Sequence, residues 1–266
     1  MTKIGIVGCG IIAQQLLIAS ETGKLTVPIA GITNRTEENA IRFLRTLKKP
    51  PKFFSRKELI NEADLIVEAA SGSIVPNLAK ESFELGKDIM VISVGALIEN
   101  PELVSLAKSK KCKIYAPSGA IAGLDGIKSA SVGEIYSVSM ITRKPLEALE
   151  GSPYLVERNM SVLKFKEEQE IFNGSAREAC KGFPANINVS AAVSFAGIGP
   201  DKTKIKIIAV PGLKRNCHEI IVEGEFGKLK INIENIPTEN PKTGRLTVMS
   251  IIKTLQGLND SLQIGT

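Results

Sequence analysis

Residues 3–13, KIGIVGCGIIA, decide the fold. A short apolar run ends in Gly8 and Gly10, and residues 12–20, IAQQLLIAS, follow with helical spacing. Gly8, Gly10 and Ala13 fit G-x-G-x-x-A. Glycines there permit a tight strand-to-helix turn and let backbone N–H groups approach a pyrophosphate at the helix N-terminus. Such a pattern recurs by chance when it stands alone. Here it closes a strand, opens a helix and lies in a β-α-β unit of suitable length, which points to a dinucleotide-binding turn.

The next hundred residues repeat the same rhythm. PIAGITNR (28–35), ADLIVEAAS (63–71), DIMVISVGA (88–96) and CKIYAPSGA (112–120) read as strands. Helical stretches separate them, among them TEENAIRFLRTLK with Thr36 as N-cap, NLAKESFELG and ENPELVSLAKSKK. Largely apolar strands alternating with helices predict a doubly wound parallel sheet covered on both faces, a Rossmann-type α/β domain. Their C-terminal ends carry Asn34, Ala70-Ser71, Ser93-Val94-Gly95 and Ser118-Gly119, small residues that leave a trough for a dinucleotide. Gly8, Gly10, Ile11, Ile12, Asn34, Arg35, Ala70 and Ser71 are therefore the expected nucleotide contacts. The second strand ends Thr33-Asn34-Arg35, without the acidic residue that reads a ribose 2′-hydroxyl. NADP is expected, with Arg35 facing its 2′-phosphate, and NAD remains open because Asn34 can bond a hydroxyl. A solvated charge at a helix entry is the competing reading of Arg35.

After residue 118 the pattern changes. Segments 133–144, 203–210, 218–226 and 228–235 alternate apolar and polar residues, and only turn residues separate the last three. This predicts a second α+β domain with a mostly antiparallel open sheet, one face wet. Helices over 186–197 and 175–182 supply its cover. A long amphipathic helix over 240–259 opens at Asn240, with Pro241 at its first position. The expected division is a nucleotide domain over 1–118 completed by the C-terminal helix within 237–266, and a second domain over 119–236.

Composition bounds the function. The chain has 266 residues, 43% hydrophobic and 23% charged, an ordinary globular balance. Its net charge of +6 is scattered rather than concentrated, which argues against nucleic acid and suits an anionic ligand. Cys9, Cys112, Cys180 and Cys217 form no C-x-x-C pair and read as reduced thiols, so neither a disulfide framework nor a metal site is expected. No leader pattern and no apolar run of spanning length is visible, which predicts a cytoplasmic protein without membrane attachment.

Longer motifs carry a resemblance. SVGAL (93–97), PSGAIAGLDGIKSAS (117–131), TRKP (142–145), FNGSAREA (172–179), FPANINVSAAVS (183–194), NCHEI (216–220) and ENPKT (239–243) occur in this order and spacing in the L-aspartate dehydrogenase family, which the chain resembles over nearly its whole length. The resemblance implies NAD(P)-dependent oxidative deamination of L-aspartate to iminoaspartate, in a homodimer, with the second sheet serving both dimerisation and the active site. It implies that His218 of the N-x-H-x-I motif is catalytic and that Ala120 and Asn186 contact the nicotinamide cofactor. It also places the product in pyridine nucleotide biosynthesis, so hand-over of iminoaspartate to a quinolinate-forming enzyme is expected. Two departures stand out. Ala209-Val210-Pro211 replaces the usual A-D-P, and Lys242-Thr243-Gly244 replaces the usual KTS.

His218 is the chain's only histidine. Period two places it with Ile220 and Val222, opposite Glu219, Ile221 and Glu223. A lone histidine on an apolar face is more often structural, and only the resemblance reverses that balance. The chemistry supplies a reason for the reversal. Hydride leaves the aspartate Cα only from the neutral amine, and an imidazole can accept and return the proton. The two substrate carboxylates call for cations or donors. Candidates are Lys242 and Arg143-Lys144, with Arg177 a weaker one, and Ser118 and Asn188 as neutral donors. Two alternatives remain, a dihydrodipicolinate-reductase-like oxidoreductase and a dinucleotide-binding or sensing protein without turnover. The single histidine argues against the first, whose signature pairs two.

Overall fold

The computed structural model describes residues 1–184, 188–236 and 244–265. The chain divides into two compact units, the first comprising Met1–Pro117 with Val248–Gln263 and the second comprising essentially Ser118–Thr247.

The first unit is built on β1 (Ile4–Val7), β2 (Ile29–Thr33), β3 (Leu65–Glu68), β4 (Asp88–Val91) and β5 (Ile114–Tyr115), in the order β2-β1-β3-β4-β5. Every pairing is parallel, as the apolar strands require. β1 and β3 are buried at all four positions because helices cover both faces. The core gathers Ile4, Ile6, Leu16, Leu17, Ile32 and Val67, and Val248, Ile251 and Leu255 of the last helix join it. That helix runs Arg245–Gly257. Its expected opening at Asn240-Pro241 lies outside the described residues.

Local chemistry refines the reading of two helix starts. Thr36 occupies the N-cap position of helix Glu37–Leu44, but its side chain makes no capping bond. Instead Asn34 Nδ2 donates to the Thr36 carbonyl at 2.8 Å. A further helix, Arg56–Glu62, was not anticipated, although Ser55 and Glu58 close a reciprocal capping box there.

The second unit holds β6 (Ile135–Pro145), β7 (Gln169–Ser175), β8 (Lys204–Val210), β9 (Asn216–Gly224) and β10 (Gly227–Asn235), in the order β10-β9-β6-β8-β7. The sheet is mixed: β6 and β8 run parallel and the other pairs antiparallel. The expected run of three consecutive antiparallel strands is therefore corrected. β9 and β10 form a hairpin, but β6 inserts between β8 and β9. Residues 211–215 need to cross only two strand spacings, about 10 Å, which five residues span easily. β7 was also missed; it is a bulged edge strand on β8. Helices Ala176–Gly182, capped by Ser175 and Glu178, and Asn188–Ala196 pack in this unit. The expected start of the latter at Asn186 falls outside the described residues.

Alternation gives this sheet two faces. Val138, Met140, Ile205, Ile207, Ile220 and Val222 are buried on one. The other carries ion pairs such as Lys230–Glu219, Lys228–Glu223 and Lys206–Glu170.

Candidate active site

In the first unit the glycine turn makes the site. Gly8 has φ +111°, a conformation L side chains rarely adopt, and a Cβ there would lie 2.5 Å from the Ala69 carbonyl oxygen. Its N–H donates to the Thr33 carbonyl at 2.8 Å, tying the ends of β1 and β2. Helix Ile11–Glu21 starts immediately after, with Gly10 as an N-cap that has no side chain to occupy the first-turn N–H groups. A cleft of about 780 Å³ opens over these strand ends.

Gly8, Gly10, Asn34, Arg35, Ala70 and Ser71 all line this cleft. Ile11 and Ile12 do not; they stand half-buried in the first helical turn. Sequence reasoning missed Glu37, Phe53, Ser55 and Arg56, which line the same cleft near the end of β2. Glu37 supplies a carboxylate that the reading of Thr33-Asn34-Arg35 had not found, because it comes from the first turn of the following helix. The cleft fits a dinucleotide: its volume suffices, no Cβ obstructs the turn, and a helix N-terminus with a glycine cap faces an anionic group favourably.

In the second unit a polar patch interrupts the apolar face of the sheet. Thr142, Lys144, Asn216, His218 and Asn235 are each at most 4% exposed. Register brings them together: Thr142 lies opposite His218, His218 opposite Ile233, and Asn216 opposite Asn235. The Thr142 hydroxyl and His218 Nδ1 are 3.2 Å apart. Burial pushes the imidazole down to about 3, and the charge of Lys144 pushes in the same direction. Burial thus favours the neutral ring. Among the described residues Thr142 engages Nδ1, the ring nitrogen that faces it across the strand pair.

Asn235 Nδ2 donates to the Ala120 carbonyl at 2.6 Å, which anchors the PSGA segment to β10. Ser118, two residues earlier, is half-buried. Asn188 is the first residue of its helix and also half-buried.

Arg143 stands apart from this patch. It pairs with Cys217 and so lies on the face opposite His218, with its Nε 4.0 Å from Glu168. Period two gives the histidine's face to Lys144 instead. Arg177 is held by Asp201 through two hydrogen bonds of 2.6 and 3.0 Å, which explains its position without a ligand. Asn186 and Lys242 lie outside the described residues. Among the described residues no group of three His, Cys, Asp or Glu side chains is placed to hold a metal ion, and no helix is long and apolar enough to cross a membrane.

A parallel doubly wound sheet with a glycine turn opening a cleft, in one chain with a sheet bearing a buried histidine among donors, defines an oxidoreductase that uses a nicotinamide nucleotide. The family profile described as "Homoserine dehydrogenase, NAD binding domain" matches residues 8–117, and "Aspartate dehydrogenase, C-terminal" matches residues 125–258. The chain is 44% identical to an L-aspartate dehydrogenase of Methanosarcina acetivorans, covering 100% of both chains. It is 40% identical to an L-aspartate dehydrogenase of Bradyrhizobium diazoefficiens, covering 99% of this chain and 94% of the other. The chain belongs to the L-aspartate dehydrogenase family. A crystal structure of aspartate dehydrogenase from Thermotoga maritima shares the fold, with a TM-score of 0.74 at 24% identity and full coverage of both chains.

Proposed function

We propose that the protein catalyses the reversible NAD(P)-dependent oxidation of L-aspartate to iminoaspartate, with His218 as the proton acceptor and donor. The observation that carries the reading is the buried patch of Thr142, Lys144, Asn216, His218 and Asn235 in a chain of this family. Buried polar groups are costly in an otherwise apolar face, and they concentrate where a site is built.

When bound, the nicotinamide takes up and releases hydride. Binding and proton movement fall to the chain's own residues. Gly8, Gly10 and the first turn at Ile11 and Ile12 receive the pyrophosphate, and Ala70 and Ser71 flank it. Ala120 and Asn186 are assigned to the nicotinamide end. Arg35 and Asn34 take a 2′-phosphate, while Glu37 suits a free 2′-hydroxyl, so both NADP and NAD are accepted.

Thr142 accepts from Nδ1–H and fixes the tautomer whose Nε2 carries the lone pair. That lone pair takes the ammonium proton of aspartate, leaving the neutral amine from which hydride departs. Lys144 offsets a substrate carboxylate. Burial is the larger cause that depresses His218 and Lys144 the smaller; the arriving negative charge opposes the smaller one and raises the ring's proton affinity. Ser118, Asn188 and Lys242 are the further carboxylate donors in this reading. Arg143, on the other face, is left out of it. The iminoaspartate formed hydrolyses readily, which supports hand-over to a quinolinate-forming enzyme in pyridine nucleotide biosynthesis. A homodimer through the open sheet and a cytoplasmic location complete the proposal.

The test mixes purified protein with NADP or NAD and single amino acids and follows the absorbance of the reduced nicotinamide. Reduction with L-aspartate, and not with other amino acids, is expected. No reduction with L-aspartate contradicts the assignment. Arg35→Ala is expected to weaken NADP roughly tenfold and to leave NAD within about twofold, the loss of one charged phosphate contact.

A further inference from the structure

Glu68 is the last residue of β3 and is fully buried. It sits between Val7 of β1 and Val91 of β4, at the C-terminal edge of the parallel sheet. No ion pair among the described residues reaches it. Its carboxylate is instead surrounded by donors from two strand ends. Oε1 accepts from the Ala70 N–H at 2.9 Å and from the Ser93 hydroxyl at 3.2 Å. Oε2 accepts from the N–H groups of Ile92 at 3.2 Å and Ser93 at 2.9 Å.

A buried carboxylate is a poor way to gain stability, since a well-packed apolar residue commonly does as well. What it offers is geometry. A carboxylate presents two acceptor oxygens on one carbon, and here each serves two donors. The segments it ties are the ones the cleft depends on. Ala69, Ala70 and Ser71 line the cleft, and the Ala69 carbonyl stands where any Cβ on Gly8 would fall. A shift of a few tenths of an ångström at Ala69-Ala70 changes how closely the glycine turn is approached.

We propose that Glu68 is a positioning residue of the nucleotide cleft, its carboxylate clamping the Ala70 and Ile92-Ser93 amides so that the strand ends hold the shape that receives the dinucleotide. The proposal rests on reading this cleft as the nucleotide site. Gln in place of Glu68 keeps the size but turns one acceptor into an NH₂ group facing other donors, and the clamp opens on that side.

The experiment measures the Kd of NADP and NAD by calorimetry for the whole protein and for Glu68→Gln. Both values are expected to rise about tenfold or more, since the two nucleotides share the pyrophosphate, with one unsatisfied buried donor setting the scale. At saturating nucleotide, kcat and the KM for L-aspartate stay within about threefold, because the clamp touches neither substrate nor proton. Amide exchange at Ala70 and Ser93 is expected to quicken. Leu103→Ala, buried in the same unit away from the cleft, lowers the melting temperature without moving Kd. Ser93→Ala removes one of the four donors and raises Kd about twofold to threefold, which gives a reading even if Glu68→Gln does not fold. A Kd for Glu68→Gln within twofold of the parent, or a Leu103→Ala variant that weakens binding as much, overturns the clamp. A parent protein that binds neither nucleotide overturns the reading of the cleft itself, and the clamp falls with it.

Discussion

The two sheets of this molecule solve opposite problems. The parallel sheet makes its site from what is missing: Gly8 and Gly10 lack side chains, the strand ends carry Ala70 and Ser71, and backbone groups are left open to an anion. The mixed sheet does the opposite, with five polar side chains set into an otherwise apolar face. The first strategy tolerates no added atom at Gly8. The second tolerates no lost partner, because each polar group there is out of reach of bulk water. The difference tells where substitutions will act on binding and where they will act on proton chemistry.

The sharpest contrast comes from adding a methyl group to the first site. Gly8→Ala places a Cβ against the Ala69 carbonyl at a positive φ, and nucleotide affinity is expected to fall roughly 100-fold or more by calorimetry. Binding within a few-fold of the parent would remove the glycine turn from the account.

Removing charge from the second site should be nearly as severe but differently expressed. Lys144→Met is expected to raise the KM for L-aspartate by roughly 30- to 100-fold, about 2 to 3 kcal/mol, while the Kd of NADP stays unchanged. An unaltered KM would return Lys144 to a purely structural place on the sheet.

A third contrast is thermodynamic. His218 titrates near 3 when folded and near its ordinary 6.5 when unfolded, so the unfolded chain binds the extra proton between these values. Stability contributed by the neutral ring is complete above about pH 6.5 and is lost as the pH falls towards 3. Between pH 7 and pH 4 the loss should be roughly 3 kcal/mol by denaturant titration, and His218→Gln should remove that component. Equal acid sensitivity in the two proteins would show that the ring is not held neutral by burial.

Much of the first sheet was legible because continuous apolar runs separated by helices leave few arrangements, and parallel order follows. The cleft was legible through Gly8, Gly10, Asn34, Arg35, Ala70 and Ser71, since strand ends are where such sheets open. Glu37 was missed because it reaches the cleft from the helix after β2, and Glu68 because a carboxylate inside an apolar strand looks like a defect until its donors are seen. The order of the second sheet was not legible. A period of two says which residues share a face of one strand but not which strand lies beside it, so the place of β6 between β8 and β9 was hidden. The same period, applied to β6 from Thr142, would have separated Lys144 from Arg143. Helix Arg56–Glu62 had its signal in Ser55 and Glu58, a capping box read only in retrospect.

The central claim is that the imidazole of His218 moves the proton while the first unit independently holds the nucleotide. His218→Ala separates the two in one preparation, with NADP affinity measured by calorimetry and L-aspartate oxidation followed by the reduced nicotinamide. The account predicts an unchanged Kd and a kcat lowered about 10²- to 10⁴-fold, the range of a lost general acid–base. A kcat within a few-fold of the parent, with the nucleotide still bound, would contradict it.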